Sequence, residues 1–427
     1  MASRPSRYHY WDEQREKAPW PQRREEMEKR FLATLAHAHA HSPAYRRLYE
    51  QAGVEPGDIK GLDDLKRLPL LRMSDIVRLQ GEDPPFGGLE TVAPEQVRRI
   101  YINPGRIMQP GEWDYQDTTW AQAMCGAGFG PGDRILNTFN YHLWPYAFML
   151  DASAKMVGAT VIPTGAGNTL LQVEAMRRLA VNAFLGTPSF LMTLTQRAED
   201  MGLDPGQDLF LDKALVGAEM LPESLRERLQ KRLGMSIRQA YGTVLLGCLG
   251  YECPEMEGLH VPEGVVVEIV DPATGEPVAP GAVGEVVASN FSRVYPMIRL
   301  ATGDLSLFSE QPCPCGRSGP MLRKVLGRTD QAAKVRGTFV HPWQTDEVIS
   351  RYPEVFKYQV VITRERDQDR MIFEVEPAED SVDPVRLALR IERDIKELLT
   401  IRGEVKVLPR GSIPDFHQKI QDRRSWD

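Results

Sequence analysis

Residues 133–163 read DRILNTFNYHLWPYAFMLDASAKMVGATVIP, and the architecture can be predicted outward from this segment. The apolar runs Ile135–Phe139 and Ala159–Ile162 have the length of buried strands. Between them, Phe148–Val157 has the length and composition of a helix. The order strand, helix, strand is the unit from which parallel sheets are built, because parallel neighbours need a long crossover connection.

The same alternation continues over residues 170–233. Its segments read as a helix at Leu170–Leu179, a strand at Ala183–Leu185, a helix at Ser189–Met201, a strand at Lys213–Val216 and a helix at Pro222–Leu233. This rhythm predicts a mostly parallel sheet. Upstream, Met27, Phe31 and Leu35 recur at helical spacing, so residues 22–52 predict an N-terminal helical layer.

Beyond residue 240 the pattern becomes β-rich and then mixed. Val265–Val270 and Gly284–Val287 are separated by Pro- and Gly-containing turns, which predicts an antiparallel, barrel-like piece. After Val335, strands at Tyr358–Thr363 and Met371–Val375 precede an amphipathic helix at Asp383–Leu399. We therefore predict an α/β fold with a large N-terminal domain, residues 1–329, that holds mostly parallel sheets and a β-rich, barrel-like subdomain at 240–329. A small α+β C-terminal lid is predicted for residues 330–427.

Composition and charge indicate which classes of binding partner are expected. The chain has 427 residues, 42% hydrophobic and 26% charged, which is typical of a globular protein with more than one domain. Its 59 acidic and 52 basic residues give a net charge of −7, so no large positive field is available for nucleic acid or an anionic membrane. No apolar run has the length of a signal peptide or a membrane span, and a cytoplasmic location is expected.

The segment Thr302-Gly303-Asp304 follows a predicted strand. An aspartate in such a turn can present both carboxylate oxygens to the two hydroxyls of a ribose. Taken alone the segment is a weak indication, because Thr, Gly and Asp also form ordinary turns that bind no ligand.

Further motifs lie before and after Asp304 in the chain. These are Thr187-Pro188-Ser189, Gly217-Ala218-Glu219, Tyr241-Gly242-Thr243, Cys313-Pro314-Cys315-Gly316-Arg317, Gly327-Arg328-Thr329-Asp330, and Lys334-Val335-Arg336-Gly337 followed by Pro342 and Asp346. The set resembles the adenylate-forming (AMP-binding, acyl-CoA synthetase) superfamily, and specifically its phenylacetate-CoA ligase-like branch. The N-terminal segments Tyr10–Asp12, Pro43–Arg46 and Leu62–Leu65 also look like that branch, so the resemblance covers nearly the whole chain.

The resemblance implies roles for individual residues. Gly217, Ala218 and Glu219 match the segment beside the adenine, and Tyr241, Gly242 and Thr243 match the segment that stacks on the adenine and faces the acyl substrate. Asp304 matches the ribose-binding carboxylate and Arg328 a nucleotide contact, so the implied cofactors are ATP/AMP, Mg²⁺ and coenzyme A. The family's hinge falls near Asp330, with Arg336 and Gly337 approaching the CoA side and a cleft expected between the two domains.

Lys419 is the candidate catalytic residue. The segment Gly411–Lys419 resembles the family segment that ends in the catalytic lysine, although Gln418 replaces the usual glycine. An ammonium placed there would neutralise charge on the α-phosphate as the carboxylate attacks. A solvated surface lysine is the alternative, since most lysines are exposed.

Two departures from the family pattern concern the triphosphate. Asn103–Pro110 occupies the place of a Ser/Thr/Gly-rich phosphate loop, and only Gly105 and Pro110 match. Pro104 removes one backbone N–H, and Arg106 could bind phosphate or pair with a neighbouring carboxylate. After Thr243, where the family has a magnesium-binding glutamate, no carboxylate occurs until Glu252.

Cysteines and one histidine form a candidate metal site. The five cysteines are odd in number, which argues against a disulfide framework. Cys253, His260, Cys313 and Cys315 offer three thiolates and an imidazole, the donors that suit a structural Zn²⁺. Their spacing is not that of a standard zinc finger, but the branch that the chain resembles carries similar Cys and His positions. Reduced, buried cysteines are the alternative.

The resemblance also implies a reaction. We expect ATP-dependent activation of a small aromatic or hydrophobic carboxylic acid to an acyl-adenylate, followed by transfer to coenzyme A, with the aromatics of Asn137–Trp144 in the acid pocket. The alternative is a degenerate family member that binds a nucleotide or acyl-adenylate without turnover, or an acyltransferase to a different acceptor. Neither nucleic acid nor a membrane is expected as a partner, and a homodimer is compatible with the resemblance.

Overall fold

The two regions predicted from the sequence differ in architecture. A computed structural model of the chain describes residues 9–103, 107–111, 115–329, 333–335, 338–340, 342–365, 368–379, 381–399, 401–414 and 418–424. The chain forms two compact units, the first comprising Met1–Thr302 and Leu307–Val325 and the second Gly303–Ser306 and Leu326–Asp427. The predicted boundary near Asp330 falls on residues outside those described and stays a prediction.

The first unit alternates helices and strands along most of its length. Its helices are α1 (Glu13–Glu16), α2 (Trp20–His41), α3 (Pro43–Ala52), α4 (Met73–Glu82), α5 (Thr119–Gly126), α6 (Tyr146–Met156), α7 (Thr169–Arg178), α8 (Pro188–Asp200), α9 (Pro205–Asp208) and α10 (Glu223–Leu233). Its strands are β1 (Leu71–Arg72), β2 (Arg99–Ile102), β3 (Met108–Gly111), β4 (Arg134–Asn137), β5 (Thr160–Pro163), β6 (Ala183–Gly186), β7 (Lys213–Val216), β8 (Ser236–Thr243), β9 (Gly247–Tyr251), β10 (Leu259–His260), β11 (Val265–Val270), β12 (Gly284–Asn290), β13 (Leu300–Ser306, whose last residues belong to the second unit) and β14 (Met321–Leu322). Short 3₁₀ turns lie at Pro56–Asp58, Leu62–Arg67 and Pro94–Gln96.

The main sheet has eight strands in the order β14-β10-β9-β8-β7-β6-β4-β5. Strands β8, β7, β6, β4 and β5 are parallel, as the sequence rhythm predicts. Successive residues of these strands face opposite cores: Ile135 and Leu185 pack with α5 and α6, whereas Leu136 and Phe184 pack with α7, α8 and α10. Burial on both faces explains why the strands read as continuous apolar runs instead of alternating ones.

The β-rich segment continues the first unit. Strands β11 and β12 pair antiparallel over six residue pairs, and β1 joins β13 in parallel. Among the strands that the structure describes, this sheet is open, with the order β1-β13-β12-β11. The predicted antiparallel pairing is therefore confirmed for β11 and β12, whereas β1 and β13 are parallel, and the described strands do not close into a barrel.

The second unit is a small α+β body. It contains β15 (Gly327–Arg328), β16 (Ala333–Val335), β17 (Thr338–Val340), α11 (Pro342–Ile349), β18 (Val355–Glu365), β19 (Gln368–Pro377), α12 (Pro384–Leu399), β20 (Glu404–Val407) and β21 (Ile420–Asp422). A four-stranded sheet in the order β20-β19-β18-β21 packs its apolar face against α12 through Leu387, Ile391 and Ile395. The predicted α/β fold class is confirmed. Within the described ranges, no helix is both long and apolar enough to cross a bilayer.

Candidate functional site

The loops after the parallel strands bring several predicted residues to one edge of the main sheet. Strand β6 ends at Gly186 and β7 at Val216, so Ser189 and Glu219 follow neighbouring strands. The Ser189 hydroxyl donates to Oε1 of Glu219 at 2.8 Å, and the Ser189 backbone N–H lies 3.3 Å from Oε2. The carboxyl edge of a parallel sheet is where α/β proteins usually bind ligands.

Backbone geometry accounts for the small residues before Glu219. Ala218 has a φ of 63°, in the left-handed region, which turns the chain sharply after β7. A Cβ atom added at Gly217 would lie 2.9 Å from the carbonyl oxygen of Ala240 on β8. Glycine at 217 therefore lets β7 and β8 lie close together where the predicted adenine segment begins.

The segment Tyr241-Gly242-Thr243 lies at the end of β8, where that strand turns into β9. The Tyr241 hydroxyl donates to Oγ1 of Thr302 at 3.3 Å, and Oγ1 of Thr243 accepts from the Leu246 N–H at 3.2 Å. A Cβ at Gly242 would collide with the carbonyl oxygen of Gly247 and lie 2.7 Å from the Trp120 ring. The middle residue of this motif is therefore restricted to glycine by packing.

Substituting Gly242→Ala is expected to lower the free energy of unfolding by about 1–3 kcal/mol, because the added methyl group must displace backbone of β9 or the buried Trp120. Urea denaturation measures the change. Gly130→Ala is the matched control, since nothing lies within 4 Å of a Cβ at that position. Equal stability of the two variants would contradict the packing explanation.

The predicted nucleotide residues of the second unit face each other across two strands. Asp304 on β13 stands opposite Arg328 on β15, and Nη1 of Arg328 donates to Oδ1 of Asp304 at 3.0 Å. Gly303 has a φ of 78°, and a Cβ there would lie 2.7 Å from Nη2 of Arg328. Thr302-Gly303-Asp304 therefore lies within β13 and not in the predicted turn after a strand, and the missing side chain of Gly303 leaves room for the guanidinium beside the carboxylate.

Lys419 precedes β21 and forms an ion pair. Its ammonium lies 2.5 Å and 2.6 Å from the two carboxylate oxygens of Asp346 on α11. The Tyr358 hydroxyl on β18 also donates to Asp346, at 2.6 Å. Burial and the neighbouring carboxylate raise the pKa of Tyr358, so its hydroxyl keeps its proton. Asp346 belongs to the motif series that carries the resemblance, but its contact with Lys419 was not predicted from the sequence, because 73 positions separate the two residues.

The strands flanking the altered phosphate loop form a hairpin. Strands β2 and β3 pair from Arg99 with Gly111 to Ile102 with Met108. Nε2 of Gln109 donates to the carbonyl of Val244 at 3.0 Å, whereas its carbonyl oxygen is buried without a hydrogen-bond partner among the described residues. Gly105, Arg106, Arg336 and Gly337 lie outside the described residues.

Glu252 does not replace the absent magnesium ligand. Its two carboxylate oxygens accept hydrogen bonds from Arg226 at 2.7 Å and 2.8 Å, and from the Gln239 N–H at 2.6 Å. Both side chains of the ion pair are buried. A carboxylate engaged in this way is not available to a cation.

The four predicted metal ligands do come together in the first unit. The three sulfur atoms and one ring nitrogen of Cys253, His260, Cys313 and Cys315 all lie within 4.8 Å of one another, and all four residues are buried. Sγ of Cys253 lies 3.5 Å from Sγ of Cys313, and Sγ of Cys315 lies 3.5 Å from Nε2 of His260. Tetrahedral zinc holds such donors about 3.5–3.8 Å apart, a spacing that these two pairs match.

Residues from the N-terminal region support the cluster from outside. Nε of Arg317 donates to Glu16 on α1 at 2.6 Å, and Nη1 of Arg317 lies 3.7 Å from Sγ of Cys315. The Tyr10 hydroxyl donates to the backbone carbonyl of Cys315 at 2.6 Å. Arg317 and Tyr10 therefore connect the N-terminal region to the segment that carries Cys313 and Cys315.

Side chains of the predicted acid-pocket segment contact residues of α6. Asp151 on α6 accepts hydrogen bonds from the Tyr141 hydroxyl at 2.6 Å and from the Asn137 amide at 2.9 Å. The Phe139 ring packs edge-on against Tyr146, with centroids 4.6 Å apart. The polar groups of Asn137 and Tyr141 thus have internal partners.

A cavity of about 640 Å³ lies in the same unit. Its wall is mixed: Tyr101, Phe148, Met149, Ala152 and Leu246 are apolar or aromatic, whereas Arg15, Arg30, Arg99, Arg293, Asp117 and Glu263 are charged. Its size is within the range of pockets for small molecules. The sequence did not predict that these residues line one cavity, because they come from separate segments and no local pattern links them.

Comparison with known proteins gives consistent matches. The family model "AMP-binding enzyme" matches residues 115–292, and "AMP-binding enzyme C-terminal domain" matches residues 337–424. A phenylacetate-coenzyme A ligase of Thermus thermophilus is 31% identical over 418 residues, which cover 91% of this chain and 93% of that protein. The phenylacetate-coenzyme A ligase of Escherichia coli is 28% identical and covers 90% of this chain and 91% of its own.

A solved structure extends the comparison. An open conformation of 2-hydroxyisobutyryl-CoA ligase, in complex with 2-HIB-AMP and CoA, superposes with a TM-score of 0.84 at 25% identity. The match covers 99% of this chain and 96% of that one.

Proposed function

This chain belongs to the phenylacetate-CoA ligase-like branch of the AMP-binding enzymes, and from that membership we propose that it is an ATP-dependent acid–CoA ligase. A carboxylate oxygen of the acid attacks the α-phosphorus of ATP, and pyrophosphate leaves to give an acyl-adenylate. The thiol of coenzyme A then attacks the acyl carbon, and AMP leaves with the electron pair of the broken C–O bond. The observation that carries this proposal is similarity to phenylacetate-coenzyme A ligases over almost the whole length of both chains.

Nucleotide-binding roles are proposed for the following residues. Gly217, Ala218 and Glu219 contact the adenine, and Tyr241, Gly242 and Thr243 stack beside it. Asp304 accepts hydrogen bonds from the ribose hydroxyls, with Arg328 at 3.0 Å to orient the carboxylate. Gly105 and Arg106 contact the triphosphate, and Arg336 and Gly337 contact coenzyme A.

The variant Asp304→Asn is expected to weaken AMP binding by about tenfold or more, because a charge-assisted hydrogen bond to the ribose is lost. Isothermal titration calorimetry with AMP measures the dissociation constant. Asp200→Asn, at an exposed position on α8, serves as the control for loss of one negative charge. AMP affinity that is the same in both variants would exclude Asp304 as the ribose ligand.

Magnesium is proposed to arrive with the phosphates of ATP. The segment after Thr243 offers no carboxylate before Glu252, and that residue is engaged with Arg226, so the segment does not fit the magnesium ligand of the family. Mg²⁺ commonly keeps several waters and takes substrate phosphates as ligands, so it does not require a protein cage.

The cluster of Cys253, His260, Cys313 and Cys315 is proposed to hold a structural zinc ion. The donor set is closed and buried, and zinc there would supply cross-linking between β10 and the segment that carries Cys313 and Cys315. No part in the reaction is assigned to it.

The acid is proposed to be small and aromatic or hydrophobic, with its acyl group in the cavity beside Phe148, Met149 and Leu246. The alternative of a binding protein without turnover is not favoured, because the full-length relatives are ligases. Pyrophosphate release assayed over a panel of aromatic and aliphatic acids, each with and without coenzyme A, tests the function. A protein that is folded and binds AMP but releases no pyrophosphate with any acid is not a ligase.

A further inference from the structure

The charge of Lys419 is neutralised inside the second unit. Both carboxylate oxygens of Asp346 contact its ammonium, at 2.5 Å and 2.6 Å. The Tyr358 ring also lies beside the ammonium, with its centroid 5.9 Å from Nζ. A lysine that stabilises charge on a phosphate must present its ammonium to that phosphate, and the Asp346 carboxylate competes with the phosphate for that ammonium.

The fold determines this pairing. The Lys419 carbonyl accepts from the Val360 N–H at 2.7 Å, and β21 then continues in parallel with β18. Ile420 is the register partner of Val360, so Lys419 lies at the start of this pairing, and its ammonium comes within 5.9 Å of the Tyr358 ring centroid. The Tyr358 hydroxyl lies 3.0 Å from Oγ1 of Thr345 and donates to Asp346, so β18 also holds the carboxylate in place.

We propose that Asp346 is a positioning residue whose carboxylate binds the Lys419 ammonium and competes with ATP for it. This inference rests on the proposed function, in which Lys419 acts on the α-phosphate. When Asp346 releases the lysine, the ammonium is free to meet the nucleotide. The fraction of protein with a free ammonium therefore sets the apparent affinity for ATP in the first half-reaction.

The exposure of the pair limits the size of the effect. The side chains of Lys419 and Asp346 are 39% and 36% exposed, so water and salt screen their attraction. Ion pairs of this exposure change an equilibrium by about two- to fivefold. A change of this size in the KM for ATP is measurable.

The test is the steady-state kinetics of acid-dependent pyrophosphate release. In Asp346→Asn, the KM for ATP is expected to fall about two- to fivefold with kcat within about twofold of the parent. Asp346→Glu keeps a carboxylate, so its KM should stay closer to that of the parent. Glu354→Gln is the matched control, because it breaks another ion pair of the same unit, to Arg390 at 2.6 Å, and should leave both constants unchanged.

A second measurement does not depend on turnover. Competitive acylation of lysines without nucleotide, read by mass spectrometry, should show Lys419 more reactive in Asp346→Asn than in the parent, relative to the exposed Lys406. An unchanged or raised KM for ATP in a folded Asp346→Asn protein, or a lower kcat, overturns the proposal. If the parent releases no pyrophosphate with any acid, the proposed function fails. The acylation experiment still tests the ion pair in that case, and equal Lys419 reactivity in the parent and in Asp346→Asn would contradict it.

Discussion

Replacing Lys419 with alanine is expected to lower the kcat of acid-dependent pyrophosphate release about 10²–10³-fold. Attack of the carboxylate on the α-phosphorus builds negative charge on the phosphoryl oxygens, and a single placed donor in such a site contributes about 3 kcal/mol to the transition state. Release of pyrophosphate from ATP with a turnover-competent acid measures the effect.

Two comparisons make this result specific to Lys419. Lys406→Ala removes the same charge from an exposed position on β20 of the same unit and should retain parental kcat. The Lys419→Ala protein should also keep its thermal midpoint, because the side chain is 39% exposed and contributes little to stability. Parental turnover in Lys419→Ala would identify this residue as an ordinary surface lysine.

Zinc analysis is expected to find about one ion per chain, and loss of the ion should lower stability substantially. If free zinc exceeds its dissociation constant about a thousandfold, binding contributes about 4 kcal/mol to the folded state. For a unit of this size, such a loss lowers the thermal midpoint by about 5–10 °C. Cys313→Ala should abolish stoichiometric zinc and show the lower midpoint, measured by elemental analysis and calorimetry.

Cys125→Ser is the control, because Cys125 lies outside the four-residue cluster. It should retain both zinc and the parental midpoint. Treatment with a chelator should reproduce the lower midpoint in the parent but change Cys313→Ala little. Substoichiometric zinc in the parent, even after growth with added zinc, would contradict the proposed zinc site and indicate a cluster of reduced thiols.

Much of the architecture could be predicted from local patterns. The alternation over residues 133–233 identified β4, α6, β5, α7, β6, α8, β7 and α10, with ends that differ from the observed ones by no more than a few residues. Such segments are predictable because buried strands and helices have their own length and periodicity. Open or closed sheets are harder to predict, since closure depends on how distant strands pair and tilt.

In the candidate site too, residue types could be predicted from the sequence, whereas the contacts between them could not. Cys253, His260, Cys313 and Cys315 could be named from their chemistry, yet their mutual distances depend on strand pairing of β10 with β9 and β14. The partner of Lys419 could not be predicted, because Asp346 lies 73 positions away and meets it only through α11 and the register of β21 on β18. Likewise, the hydrogen bond that engages the Glu252 carboxylate comes from Arg226 on α10.

By itself, the sequence determined the order of helices and strands, the family and the residue types available for chemistry. These follow from side-chain periodicity and motif spacing, which are properties of short segments. Only the tertiary structure decided that Glu252 is already paired, that Asn137 and Tyr141 are bonded to Asp151, and that a cavity lies beside α6. The physical reason is that hydrogen bonds, ion pairs and cavities depend on distances of a few ångströms between residues far apart in the chain.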